Sequence, residues 1–137
     1  MERRYKLIKQ IPTVEEYQTL REAVGWDRIA DPKAADVGLN NSLFCVCAVS
    51  DNKVIGCGRV IGDMGIYYYV QDIIVLPKFQ GKGLGKNIMD IIIDYLEEHA
   101  SPGSFVGLMA AKGLSGFYER YGFTKRPSDG PGMFRMM

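Results

Sequence analysis

A β-branched run that passes through a glycine turn directly into a one-sided helix does most to set the fold of this 137-residue chain. Residues 66–76 are apolar, aromatic and β-branched, and Pro77 ends them. After glycines at 81, 83 and 85, residues 84–99 carry Leu84, Ile88, Ile91, Ile92, Tyr95 and Leu96 on one helical face. Lys86, Asn87, Asp90, Asp94, Glu97 and Glu98 fall on the other. Such a helix must lay its apolar stripe on a sheet. The strand-like residues 105–110 that follow make it a crossover, which selects a mixed α/β sheet.

Upstream, residues 5–11 read as a strand closed by Pro12. Thr13-Val14-Glu15-Glu16 has the spacing of a capping box, and apolar residues at helical intervals follow until Gly25. Residues 27–41 are polar and broken by Pro32 and Gly38, a loop with one weak helix over 33–39. Residues 43–49 and 54–61 are strands joined by the turn Ser50-Asp51-Asn52-Lys53, and Gly62-Asp63-Met64-Gly65 is a second turn. Three antiparallel strands in a row result. Downstream, 114–121 reads as a short helix ended by Gly122, with a last strand or loop from Phe123 onward. No repeat or linker interrupts the chain, so residues 1–137 read as one domain with one core.

Charge excludes several partners. With 17 basic and 16 acidic residues the net charge is +1, so no overall field draws the chain to nucleic acid or a membrane surface. Any anion must be held locally. Cys45, Cys47 and Cys57 are odd in number and sit in apolar runs, as buried reduced thiols do, and the lone His99 lies far from them, so no metal site is expected. The charged N-terminus has no apolar stretch behind it, and no run approaches the ~18 residues that span a bilayer. A cytoplasmic location is the expectation.

The local anion site is the turn itself. Gln80, Gly81, Lys82, Gly83, Leu84, Gly85 and Lys86 join a strand to a helix N-terminus, where unpaired N–H groups and the helix dipole favour negative charge. A pyrophosphate fits there. Tight packing is the other use of such glycines, and two familiar phosphate motifs are absent. A P-loop needs glycine where Gln80 stands and Ser or Thr where Asn87 stands, and the dinucleotide fingerprint needs different glycine spacing from 81, 83 and 85.

Gln80-x-x-Gly83-x-Gly85, following Val75-Leu76-Pro77, resembles the coenzyme A motif of the GCN5-related N-acetyltransferase (GNAT) superfamily. Phe117-Tyr118-Glu119-Arg120-Tyr121-Gly122-Phe123 resembles that superfamily's late helix and strand. The likeness is strong over residues 70–123. It implies a single-domain fold in which antiparallel strands precede the crossover helix and two parallel strands splay apart. It also implies that the amides of residues 80–86 hold the pyrophosphate of acetyl-coenzyme A, and that Ile73, Ile74 and Val75 pair with its pantetheine arm. One departure is Ala111, where many relatives carry an asparagine that contacts the cofactor arm.

Transfer of an acetyl group to an amine needs a neutral amine, an oxyanion donor and a proton for the leaving thiolate. A backbone N–H on the splayed strand serves the second need. Tyr118 serves the third, because a phenol with a reference pKa of about 10 stays protonated at neutral pH. Resemblance places a general-acid tyrosine at that position; as an aromatic on a short helix it also suits the core. Asp72 is the candidate base, although a carboxylate within an apolar strand is either paired structurally or functional, and a bulge there would decide whether Gln71 or Asp72 faces the cleft. Trp26, Asp27, Tyr69 and Gln71 are candidates to receive the acceptor, the first as an apolar or cation–π wall and the second as a counter-charge. The expected activity is direct transfer from acetyl-coenzyme A to a primary amine of a small molecule, with a non-catalytic acyl-coenzyme A-binding module as the alternative. The apolar tail Met133-Phe134-Arg135-Met136-Met137 leads to the expectation of a homodimer.

Overall fold

The computed structural model describes residues 4–137. One five-stranded sheet runs in sequence order: β1 (Lys6–Lys9), β2 (Phe44–Ser50), β3 (Lys53–Gly62), β4 (Tyr67–Val75) and β5 (Phe105–Gly107). The first four are antiparallel, and β5 joins β4 in parallel. The helices are α1 (Val14–Ala23), α2 (Pro32–Asn40), α3 (Leu84–His99) and α4 (Ser115–Glu119).

Local chemistry accounts for the element ends. The capping box forms: Thr13 N–H donates to Glu16 Oε1 at 2.8 Å and Glu16 N–H to Thr13 Oγ1 at 3.1 Å. The β2–β3 turn places Asp51 and Asn52 at φ 50° and 63°, the paired left-handed geometry that tight hairpins use. α2 is longer and better made than a weak helix in a loop. Asp31 caps it by accepting from Lys33 N–H at 3.0 Å, Pro32 starts it, and Ala35 and Leu39 are buried beneath it.

Two apolar layers flank the sheet. On one face α3 buries Leu84, Ile88, Met89, Ile92 and Leu96 against Phe44, Val46, Val60, Tyr68 and Val70. Each such side chain contributes roughly 1.5–3 kcal/mol when fully buried. On the other face, Leu20 of α1 packs with Cys47, Cys57 and Ile74. The three cysteines are free thiols and buried, as their setting predicted.

One C-terminal boundary needs correction: β5 stops at Gly107 rather than Ala110. Of the two readings of the stretch from Phe123, strand or loop, the structure has the loop. Prolines 127 and 131 remove two backbone donors from that stretch, and Gly130 N–H donates to Pro127 O at 3.0 Å, turning the chain where a strand would run on.

Candidate active site

β4 is the strand that the site is built on. Its pairing with β5 covers Tyr67–Tyr69 against Phe105–Gly107 and then ends, so beyond Tyr69 the two parallel strands diverge. Leu76 N–H donates to Ile55 O at 2.9 Å, and Cys57 lies opposite Ile74. By the alternation of an antiparallel ladder, Ile74 therefore turns its backbone inward to β3, while Ile73 and Val75 turn theirs into the gap. The gap thus receives two of the three strand residues expected to meet the cofactor; Ile74 instead buries its side chain under α1.

The gap ends at the glycine turn. A 3₁₀ turn, Pro77–Phe79, leads to Gln80, whose Nε2 donates to Val75 O at 2.8 Å and ties the turn to the end of β4. Gly81 and Gly83 have φ +76° and +84°, and a Cβ on either would meet nothing within 4 Å. These glycines are required by backbone conformation and open space, not by close packing against the protein. Gly83 occupies the N-cap position of α3, and no side chain caps that end. The first-turn N–H groups are left for a ligand. A Cβ on Gly85 would come within 4.0 Å of both Val75 and Phe117, so the ends of β4, α3 and α4 converge there. Lys82 is exposed; the Lys86 ammonium is drawn to Asp90 at 2.9 Å. Uncapped amides, two left-handed glycines facing space and a strand edge without a strand partner among the described residues fit a pyrophosphate with an amide-bearing arm.

Tyr118 lies on α4 at 7% exposure, its ring edge-on to Phe117 and Phe123. Burial pushes its phenol above the ordinary value. Its hydroxyl has no hydrogen-bond partner among the described residues, yet no buried polar side-chain atom is left unpaired. The hydroxyl therefore meets open space, and Tyr118 borders a cavity of about 900 Å³ between the C-terminal half of α3, β5, α4 and the tail. None of the glycine-turn residues lines that cavity.

Asp72 is buried at 4% exposure and fully engaged. Oδ2 accepts from Arg59 Nε at 2.7 Å and from the Tyr17 hydroxyl at 2.9 Å; Oδ1 accepts from Gln71 Nε2 at 3.2 Å. Gln71 is thus turned toward Asp72. Tyr69 is half-buried, and burial raises its phenol. Trp26 packs on the α1 face with the Arg21 guanidinium 5.5 Å from its ring, and Asp27 is exposed, its carbonyl accepting from Arg21 Nε at 2.8 Å. Gln18 pins the following loop, exchanging both amide hydrogen bonds with the backbone of Ile29 at 2.9 Å.

Sequence reasoning missed Tyr17, Gln18 and Arg59. A signal existed for Arg59, a lone charge in the apolar strand 54–61, just as Asp72 stood out in its own. Helical periodicity hides Tyr17 and Gln18 among core positions.

Comparison with known proteins agrees with this geometry. The sequence pattern of the Acetyltransferase (GNAT) domain matches residues 14–131. An uncharacterized N-acetyltransferase of Pyropia yezoensis is 31% identical over 124 residues, spanning 87% of this chain and 69% of its own. A protein of unknown function and probable acetyltransferase from meticillin-resistant Staphylococcus aureus superposes with a TM-score of 0.91 at 34% identity, covering 97% of this chain and 99% of that one. A GNAT-family acetyltransferase of Streptococcus pneumoniae gives 0.77 at 28% identity, covering 97% and 98%. The family pattern spans most of the chain and the solved relatives share its fold, so the chain belongs to the GNAT family of acetyltransferases, whose general donor is acetyl-coenzyme A.

Proposed function

We propose that this acetyltransferase moves an acetyl group from acetyl-coenzyme A directly to a primary amine of a small molecule, both substrates being bound together. The observation that carries the reading is the free edge of β4, which leads from the gap beside Ile73 and Val75 to the uncapped N-terminus of α3. Within residues 80–86 the amides from Gly81 onward would hold the pyrophosphate, since Gln80 N–H donates to Pro77 O at 3.2 Å, and the outward amides of Ile73 and Val75 would hold the arm and thioester carbonyl. Acetyl-coenzyme A supplies the activated acyl group. Tyr118, a phenol protonated at neutral pH whose pKa burial pushes further up, would give a proton to the leaving thiolate. Trp26, Asp27, Tyr69 and Gln71, on or beside the α1 side of the sheet, would receive the amine.

Amine-dependent release of free coenzyme A tests this. A panel of small primary amines mixed with protein and acetyl-coenzyme A is expected to yield at least one that raises thiol release well above the amine-free rate. Tight binding of acetyl-coenzyme A without release for any amine would favour the acyl-coenzyme A-binding module.

We further infer a homodimer. The outer edge of β5 has no strand partner among the described residues, and Met133, Phe134, Met136 and Met137 are 77–105% exposed. Light scattering at micromolar concentrations is expected to give twice the chain mass; a monomer mass throughout would refute it.

A further inference from the structure

We propose that Arg59 and Tyr17, acting through Asp72, are positioning residues that hold the bulge of β4 so that the Ile73 N–H faces the thioester carbonyl. The proposal rests on acetyl-coenzyme A lying along β4, as read above. Its starting point is a slip in the ladder. Cys57 pairs with Ile74 but Arg59 pairs with Gln71, so Gly58 stands opposite both Asp72 and Ile73. Asp72 takes φ +58°, a left-handed conformation that L side chains rarely adopt. The slip reverses the faces of the strand. Tyr68 and Val70 lie in the α3-side core, whereas Asp72 and Ile74, two and four residues further on, lie on the α1 side.

The backbone alone does not favour this geometry, and the Asp72 side chain supplies what holds it. Its carboxylate is gripped from three directions by Arg59, Tyr17 and Gln71, and its carbonyl accepts from Cys57 Sγ at 3.3 Å. Arg59 is itself anchored: Nη1 donates to Gly38 O at 3.1 Å and Ser42 Oγ at 3.2 Å, where α2 ends. Tyr17 accepts from Arg21 Nη1 at 3.2 Å. The side chains of the ion pair are 14% and 1% exposed. A buried pair of this kind gives little net stability over apolar residues of the same size, so its use lies in fixing one geometry. What it fixes is the residue immediately before Ile73. A carboxylate so engaged, beside a guanidinium, serves as an anchor for the bulge and not as the base for the acceptor.

The test needs no knowledge of the acceptor. Acetyl-coenzyme A carrying ¹³C at the acetyl carbonyl is bound to the wild-type protein and to Arg59→Met and Tyr17→Phe, and the isotope-edited infrared carbonyl band is recorded beside calorimetric affinity. Wild type is expected to move the band to lower frequency than in free acetyl-coenzyme A, as a hydrogen bond to the carbonyl does. Both variants are expected to bind within about threefold of wild type, since the amides of residues 80–86 are untouched. Their band should return toward the free position, wholly in Arg59→Met and in part in Tyr17→Phe. Loss of melting temperature with an unmoved band would reduce the network to ordinary structure and overturn the proposal. Tyr17→Phe removes two hydrogen bonds, one to Asp72 and one from Arg21, and keeps the ring, so it remains a decisive probe even where Arg59→Met does not fold. Failure of wild type to bind acetyl-coenzyme A would strike the functional reading itself, whereas binding with no band shift in wild type would overturn only the placement of the Ile73 amide.

Discussion

Gly83→Val is expected to remove measurable acetyl-coenzyme A binding from a protein that still folds. Gly83 sits at φ +84°, ψ 4°, where a β-branched side chain costs roughly 1–2 kcal/mol. No heavy atom lies within 4 Å of the Cβ it would gain, so the fold meets no clash, and α3 keeps its buried stripe of Leu84, Ile88, Met89, Ile92 and Leu96. The added branches enter the space that the proposed ligand needs. Relief of the strained φ also rotates the peptide ahead of Leu84 and takes N–H groups out of the cradle. Hydrogen bonds from such donors to a charged acceptor are worth roughly 1.5–3 kcal/mol each, so losing two weakens binding by roughly 10² to 10⁴-fold. Calorimetric titration beside a thermal melt separates the two effects. Wild-type affinity in the folded variant would place the pyrophosphate elsewhere.

The glycine turn was legible in the sequence because its chemistry is local: three glycines, a preceding strand and a one-sided helix lie within one short stretch. The capping box at Thr13 was legible for the same reason. β4 shows the limit of pattern reading. Residues 68, 70, 72 and 74 are all buried, an unbroken alternation that suggests one apolar face, yet the slip at Gly58 sends the first two to α3 and the last two to α1. Periodicity reports burial; it does not report which layer does the burying. The Arg59–Asp72 pair needed the register of two strands before its halves could be matched. The pattern from Phe123 onward allows a strand or a loop; Pro127 and Pro131, whose missing donors would break a ladder, decide for the loop.

Tyr118→Phe is expected to leave acetyl-coenzyme A binding intact and to lower kcat by roughly 10²-fold or more, the scale of a lost general acid. The substitution suits the question because the ring and the hydroxyl do separable work. The ring packs edge-on to Phe117 at 5.0 Å and to Phe123 at 6.3 Å, and phenylalanine keeps both contacts. The hydroxyl bonds to no described residue, so its removal orphans no partner and changes little in stability. A hydroxyl that faces open space and bonds to no described residue adds nothing to packing, since a phenylalanine would fill the same space. The pH dependence adds a second mark. Burial raises the Tyr118 pKa, and the general acid acts in its protonated form, so the alkaline fall of the wild-type rate should lie above the ordinary phenol range. The residual rate of the Phe variant should lack that alkaline fall, while the acid limb, set by deprotonation of the acceptor amine, stays in both. A merely structural Tyr118 predicts the opposite pattern: nearly full activity for Tyr118→Phe, and for Tyr118→Ala a loss of roughly 3 kcal/mol in stability. Measuring kcat, affinity and melting temperature for the two variants decides between them, and a Phe variant within about twofold of wild-type kcat would leave the leaving thiolate to be protonated by water.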